Sequence, residues 1–303
     1  MKIGIDIGGS HIATGIVKDD GRLVGSEKRD ICIYSDTSEE TSKSIIINTI
    51  EEEIEVLLKK YKYDIEDISK IGIAAPGNPS DGILKNLVNL HIKEYQIGKE
   101  LKKKYSAKVL IKNDGKCAGL AEKKYGSLKR FKDCIFLCIG TGVGSAVFMD
   151  DELLEPTQNP GFEFGHMIIQ KNGLTCNCGK RGCFETYASM KRFKNNTIKK
   201  LKLNKDITSE EFREYIRANI ENEKVLKVVD EYIENVAIGI SNIINIFEPE
   251  AICFGGSFSY YEEIFNSRLE EKVKEYLLNS NTKVKFVSAK FKNDAGIIGA
   301  TEI

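Results

Sequence analysis

The chain has 303 residues, 41% of them hydrophobic, and its 45 lysines and arginines balance 45 aspartates and glutamates. This length allows two domains with buried cores, and the zero net charge lacks the basic excess expected of a general nucleic-acid binder. The sequence opens on the strand-like MKIGIDIGGS rather than an apolar signal region, and no apolar run approaches the roughly 18 residues of a membrane helix. We therefore expect a cytoplasmic protein without nucleic-acid or membrane partners.

Short strands and tight turns begin the chain. Three antiparallel strands are predicted from KIGIDIG, HIATGIVK and RLVGSEKRDICIY. Apolar residues at helical spacing from Ile46 to Tyr61 then predict a helix, with Asp36, Thr37 or Ser38 as its N-cap. Further strands are predicted from IGIAAPG and KVLIKND, and further helices from IGKELKKKYS and GLAEKKYG.

The opening pattern recurs in the middle of the chain. The segment IGTGVGSAVFMDDELL, from Ile139, resembles IGGSHIATGIVKDDGRLV, from Ile7. Each has a strand, a glycine turn, a second strand and an acidic hairpin tip. Because the tips match as well as the glycines, we favour an internal duplication over a chance likeness of two short hairpins.

The C-terminal part is predicted to be largely helical. Apolar residues from Val229 to Phe247 line one face of a long helix that ends before Pro249. Strands are predicted from AICFG and KVKFVSA, and DAGIIGATEI closes the chain as a short helix.

Glycine-rich turns follow several predicted strands, at 8–10, 140–144, 255–257 and 295–296. Glycine lets backbone amides approach phosphate oxygens closely, although a lone Gly-Gly after a strand is commonly only a tight turn. Asp6 precedes the first turn. It is interpreted either as a Mg²⁺ ligand above bound phosphates or as a cap of the turn's own amides.

Asn113 and Asp114 follow a predicted buried strand and precede a helix. The pair has two interpretations: an N-cap for the helix, or a general base, Asp114, that takes a proton from a substrate hydroxyl. The residues alone do not choose between them.

Three of the eight cysteines lie within LTCNCGKRGCFE. In a reducing compartment, such a cluster favours metal binding or redox chemistry over disulfides. Zn²⁺ prefers four tetrahedral N/S ligands, and Cys176, Cys178 and Cys183 offer three of them. A redox pair or three free thiols are the alternatives.

Together these motifs resemble the ROK family of bacterial sugar kinases, with the glucokinases as the nearest type. The likeness rests on IDIGGSHIATGIV, NDGKCAGLAE, GTGVGSAV, FEFGH, CNCGKRGCFE and AGIIGA. It implies an α/β, actin-like ATPase (ribonuclease-H-like) fold with two domains around a central cleft. We expect residues 1–113 plus 291–303 to form a small lobe and residues 114–290 to form a large lobe with a zinc-binding loop.

The resemblance also implies site residues. Asp114 would be the catalytic base. The substrate-binding residues would be Gly77, Asn89, Asn113, Asp114, Glu163, His166 and Glu185. The ATP and Mg²⁺ site would comprise Asp6, Gly8, Gly9, Ser10, Thr141, Gly142, Gly255 and Gly256. The structural Zn²⁺ ligands would be His166, Cys176, Cys178 and Cys183.

The expected function is ATP-dependent phosphorylation of the 6-hydroxyl of a free hexose, glucose foremost. N-acetylmannosamine kinase, fructokinase or a non-catalytic sugar-binding regulator are the alternatives. A DNA-binding repressor is disfavoured because the first turn begins at Gly8, which leaves no room for a preceding helix-turn-helix. We also expect a homodimer or homotetramer. The nucleotide-binding turns are expected to lie far enough from the zinc loop that nucleotide binding survives when the metal is lost.

Three positions depart from the family's usual pattern. Ser10-His11 stands where many members have Thr-Lys, Lys116-Cys117 replaces Asn-Ala, and Asn78 begins an unusual NPSDG loop. These changes bear on which sugar binds more than on the reaction class.

Overall fold

A computed structural model describes residues 1–77, 79, 82–156 and 161–303. Asn78, one of the positions that depart from the family pattern, lies outside these residues. No helix in the described ranges is both long and apolar enough to cross a membrane. The chain divides into two compact units. The first comprises Met1–Lys129, without the residues not described, together with Pro156 and Lys290–Ile303, and the second comprises Arg130–Glu155 and Gly161–Ala289.

The strands are short and lie in both units. In chain order they are β1 (Lys2–Ile7), β2 (His11–Val17), β3 (Leu23–Asp30), β4 (Lys70–Ala75), β5 (Leu84–Leu87), β6 (Ile92–Tyr95), β7 (Lys108–Asn113), β8 (Cys134–Ile139), β9 (Val143–Met149), β10 (Glu152–Leu153), β11 (Ala251–Gly255) and β12 (Lys285–Ser288).

The helices range from one turn to seven. They are α1 (Glu39–Tyr61), α2 (Ile97–Lys104), α3 (Asp114–Tyr125), α4 (Glu185–Ala188), α5 (Met190–Leu201), α6 (Ser209–Ala218), α7 (Glu223–Phe247), α8 (Glu262–Tyr276) and α9 (Ala295–Ala300). Short 3₁₀ turns lie at Ile65–Asp67, Val88–Leu90, Phe164–His166, Gly256–Tyr261 and Lys292–Asp294.

The first unit is built on a five-stranded sheet in the order β3-β2-β1-β4-β7. The first three strands are antiparallel, as predicted, and β4 and β7 run parallel to β1. The helix α1 begins after Ser38, whose hydroxyl accepts a hydrogen bond from the Thr41 amide. Its apolar face is fully buried at Ile46, Ile50 and Ile54, so the predicted helix and cap are confirmed.

The second unit repeats this arrangement. Its five-stranded sheet has the order β10-β9-β8-β11-β12. Again the first three strands are antiparallel, and the last two run parallel to the innermost of them. Two sheets with one strand order support the duplication that the glycine hairpins indicated.

The division between the units differs from the expected boundary after Asn113, because α3 belongs to the first unit. Gly299 in α9 lies so close to α3 that an added Cβ would collide with the carbonyl of Cys117. Gly4 and Gly72, on β1 and β4, approach the backbone of α9 in the same way. The C-terminal helix thus packs against both β1 and α3, and close backbone contacts hold these elements together.

An aromatic cluster forms much of the core of the second unit. Phe193 lies 4.5 Å from Tyr232 and 5.6 Å from Phe265, measured between ring centroids. The Tyr232 hydroxyl donates to the carbonyl of Ala188 at 2.7 Å. This bond fixes the junction of α4 and α5, where several candidate site residues lie.

Candidate functional site

Asp6 lies near the end of β1 and is half-buried. Burial, followed by the negative charge of Asp114, raises the pKa of Asp6 to about 7, and Lys28 opposes the shift. In the turn that follows, the Gly8 amide donates to the carbonyl of His11 at 2.9 Å. Gly296 packs so closely that an added Cβ would collide with the carboxylate.

Asn113 is the cap of α3. Its side-chain oxygen accepts from the amides of Gly115 and Lys116 at 3.0 and 3.3 Å. Asp114 is the first residue of the helix, and its Oδ1 accepts from Gly115 at 2.8 Å. Asp114 keeps an exposed surface. The protein atoms packed around its carboxyl group nevertheless displace water, and this desolvation raises the pKa of Asp114, while the hydrogen bond from the Gly115 amide partly lowers it. Each interpretation of the pair therefore suits a different residue: Asn113 caps the helix, and Asp114 offers a carboxylate.

Two further predicted sugar ligands lie in the same unit. Gly77 has a φ of 77°, and the Asn113 side-chain amide donates to its carbonyl at 3.3 Å. An added Cβ at Gly9 would lie 3.6 Å from the Nδ2 of Asn89. Asn89 therefore borders the first glycine turn, while Gly77 is tied to the residue that caps α3.

The second glycine turn joins β8 to β9. The Gly140 amide donates to the carbonyl of Gly142 at 3.0 Å, and the Lys191 amide donates to the carbonyl of Gly140 at 3.3 Å. An added Cβ at Gly140 would meet nothing within 4 Å, and Thr141 is exposed. The turn is thus open to a ligand and lies beside the N-terminus of α5, where the helix dipole favours anions.

A cavity of about 630 Å³ adjoins this turn within the second unit. Its lining includes Gly140, Thr141, Met190, Lys191, Lys194, Asn195, Ile198, Lys205, Glu210, Phe212, Arg213, Ser257, Tyr260 and Tyr261. Four of these residues are cations and one is an acid. Arg213 lies 5.4 Å above the ring of Tyr260, an arrangement stabilised by cation–π attraction. These cations lie on α5, on α6 and in the loop between them, and no sequence motif marks them, because basic residues on a helix commonly form a solvated face.

The third glycine pair serves packing. An added Cβ at Gly255 would lie 2.5 Å from the Phe136 ring, and one at Gly256, whose φ is 66°, would lie 2.7 Å from the carbonyl of Ile139. Both glycines are required by the close approach to β8. The residue that follows them, Ser257, lines the cavity.

The cysteine cluster comes together as a compact group. The ligand atoms of His166, Cys176, Cys178 and Cys183 lie within 4.8 Å of one another. The Cys178 and Cys183 sulfurs are 3.6 Å apart, and the Cys176 sulfur lies 3.8 Å from Nδ1 of His166. Zn–S bonds of about 2.3 Å in a tetrahedron place sulfurs about 3.8 Å apart. The donor set and spacing therefore fit zinc.

The surrounding loop explains this geometry. Single bridges pair Ile168 with Cys183 and Thr175 with Arg181, and Gly179 and Gly182 adopt φ values of 83° and 86°. Burial raises the pKa of the Cys176 and Cys183 thiols, whereas the Lys180 amide lowers that of Cys178. Zinc binding requires thiolates, so the charge of the ion would offset the effect of burial.

Glu163 and Glu185 flank the cluster. The Glu163 carbonyl accepts from the His166 amide at 3.0 Å. Glu185 contacts both the cluster and the second glycine turn: Oε1 accepts from the Cys176 thiol at 3.1 Å and Oε2 from the Val143 amide at 3.4 Å. The expectation that this turn is distant from the zinc loop is therefore wrong, because one side chain reaches both.

The ROK family pattern matches residues 2–303. A glucokinase from Thermotoga maritima is 30% identical over 317 residues, which cover 99% of this chain and 96% of that protein. A xylose repressor from Caldicellulosiruptor bescii is 27% identical over 310 residues, with coverages of 98% and 76%. The structure of a ROK family glucokinase from Streptomyces griseus, in complex with glucose and AMPPNP, matches with a TM-score of 0.81 at 22% identity, covering 99% of this chain and 98% of that one.

The strand order repeated in both units and the match over whole chains confirm the predicted actin-like ATPase fold with two domains. Since the family pattern and the relatives span nearly every residue, the chain belongs to the ROK family.

Proposed function

We propose that this protein is an ATP-dependent sugar kinase that phosphorylates the 6-hydroxyl of a free hexose, with glucose as the foremost substrate. The observation that carries the proposal is the division of roles at the start of α3. Because Asn113 supplies the helix cap, the exposed Asp114 carboxylate is left to act on a substrate.

Asp114 would accept the proton of the attacking hydroxyl as the sugar oxygen bonds to phosphorus. Its raised pKa makes the carboxylate a stronger base than an ordinary aspartate. Asn113 would hold a neighbouring hydroxyl while it keeps Gly77 in place.

Sugar recognition requires groups that exchange hydrogen bonds with hydroxyls. The proposed sugar ligands are Gly77, Asn89, Asn113, Glu163, His166 and Glu185. Zinc at the cysteine cluster would have a structural role, since its four protein ligands leave no position open for catalysis.

The phosphates of the donor would bind the glycine-turn amides and the cations of the cavity. The proposed donor residues are Asp6, Gly8, Gly9, Ser10, Thr141, Gly142, Gly255 and Gly256. Since Gly255 and Gly256 pack against β8, we propose that they act by presenting Ser257 to the cavity. Asp6 would hold Mg²⁺, which supplies charge neutralisation to the transferring phosphoryl group.

A coupled ADP-release assay with glucose, mannose, fructose, N-acetylmannosamine and N-acetylglucosamine tests the proposal. We expect the highest kcat/KM with glucose. Preference for N-acetylmannosamine or fructose would reassign the substrate within the same reaction. No turnover with any sugar, together with sugar binding by calorimetry, would favour a non-catalytic regulator, a class to which the resemblance to a xylose repressor also points. The homodimer or homotetramer stays a prediction, which light scattering tests.

A further inference from the structure

Glu185 is in contact with two parts of the second unit that have separate proposed roles. At the glycine turn, its Oε2 accepts from the Val143 amide, and an added Cβ on Gly142 would lie 2.8 Å from the same oxygen. At the cluster, its Oε1 lies 3.1 Å from the Cys176 sulfur and 3.9 Å from Nδ1 of His166. The side chain is only 20% exposed, so it is enclosed between the two.

The backbone adds a second connection. Glu185 begins α4, two residues after Cys183. The amide and the hydroxyl of Thr186 both donate to the carbonyl of Cys183, at 3.0 and 2.6 Å. A metal ion that fixes Cys183 therefore also fixes the start of the helix that carries Glu185. The thiol proton of Cys176 leaves on metal binding, so this backbone connection, with side-chain packing, would hold the carboxylate.

The loop between the ligands is ordered by local contacts. Between His166 and Cys183, the described backbone is held by isolated bridges and turns rather than by a sheet or a long helix. Its conformation thus depends on local hydrogen bonds, such as that from the Gly182 amide to the carbonyl of Leu174, and on contacts among the ligand residues, which a bound ion would strengthen.

We propose that Glu185 is a positioning residue that couples metal loading of the cluster to the phosphate-binding turn. With zinc bound, Glu185 is held against Gly142 and Val143, and the turn is ordered before the donor arrives. Without zinc, the donor must order the turn itself, and this cost weakens binding. The inference rests on the proposed function in one respect, that this turn binds the phosphates of the donor.

The test measures binding rather than turnover. Calorimetry with a non-hydrolysable ATP analogue compares zinc-loaded and chelator-treated protein, with metal analysis of each sample. We expect chelation to weaken binding to the wild type about five-fold or more, the usual lower bound for coupling between sites. In Glu185→Ala, affinity should be low and the same with and without zinc.

Two variants separate positioning from a general loss of structure. Glu185→Gln keeps an oxygen that accepts from the Val143 amide and should retain much of the zinc dependence. Arg181→Ala removes loop contacts to the carbonyls of Gly173 and Asn172 but no ligand, and should retain all of it. If Glu185→Ala loses zinc or unfolds, Gly142→Ala breaks the same contact from the turn and should likewise abolish the dependence.

Equal affinity of wild type with and without zinc, or undiminished zinc dependence in Glu185→Ala, would overturn the coupling alone. Zinc-dependent nucleotide binding without ADP release on any sugar would overturn only the proposed function. Absence of nucleotide binding to the zinc-loaded wild type would overturn both.

Discussion

Asp6 and Asp114 lie at the carboxyl ends of β1 and β7, the two strands that flank β4. Their charges interact: burial first, and then the negative charge of Asp114, raise the pKa of Asp6 to about 7. Two carboxylates at one edge of a sheet thus differ in environment and in proposed role, one as the magnesium ligand and the other as the base.

The proposed base is tested by Asp114→Asn. An amide cannot accept the hydroxyl proton, so kcat should fall by about 10²–10⁴-fold, while sugar affinity measured by calorimetry stays close to that of the wild type. Asp230→Asn, which removes an exposed carboxylate paired with Arg268, is the matched control and should leave kcat unchanged. Activity of Asp114→Asn within a few-fold of the wild type would assign Asp114 to the helix terminus alone.

Ionisation of Asp6 should make donor binding depend on pH near neutrality. Mg²⁺ binds the carboxylate and not the carboxylic acid, so the Mg²⁺-dependent affinity for an ATP analogue should rise with pH through about 7. In Asp114→Asn, the negative charge that raises the pKa of Asp6 is absent, so the midpoint should move to lower pH. Titrations from about pH 5.5 to about pH 8.5, a range that spans this pKa, measure the midpoint in the wild type and in the variant. An unmoved midpoint would show that Asp114 does not influence Asp6.

A buried carboxyl outside the candidate site should make the free energy of unfolding depend on pH. Glu53 is fully buried under β2, its Oε2 accepts from the Thr14 hydroxyl at 2.6 Å, and burial raises its pKa from 4.5 to about 7. Because the folded state holds this proton more tightly than the unfolded chain, the contribution is full below pH 4.5 and is lost as pH rises through about 7.

Glu53→Gln should therefore gain stability relative to the wild type as pH rises, by up to about 3 kcal/mol. Urea unfolding at several pH values measures this difference, to which Asp6 contributes equally in both proteins. The neighbouring Glu52→Gln, at an exposed position paired with Arg29, should show no such trend. A pH-independent difference for Glu53→Gln would mean that the carboxyl is ionised in the folded protein.

Metal content tests the cluster directly. Protein purified without chelator should contain one zinc per chain, and Cys178→Ser should lower this content. Because Glu163 and Glu185 flank the ligands, sugar affinity should also fall, by about ten-fold. Cys32→Ser, at an exposed cysteine outside the cluster, is the control and should change neither. Chelator-free protein without zinc, or unchanged sugar affinity in Cys178→Ser, would separate the cluster from the sugar site.

Much of the local structure could be predicted from the sequence. Strand signals separated by tight turns predicted the antiparallel start, and helical spacing with a cap among Asp36, Thr37 and Ser38 predicted α1. The β5–β6 hairpin was missed because each strand has only four residues, too few for a pattern to be distinguished. The assignment of α3 to the first unit was missed as well, because it depends on α9, which is remote in sequence.

The sequence by itself determined most of the elements, the family resemblance and the candidate ligands, since caps, turns, helical periodicity and ligand spacing act over a few residues. Only the tertiary structure decided which of these groups meet. Val143 and Glu185 are 42 residues apart along the chain, and the cavity joins the cations of α5 and α6 to Thr141 and to Ser257. The raised pKa values of Asp6 and Glu53 likewise require buried surroundings that distant strands and helices provide. Packing brings such groups together, and no local pattern encodes it.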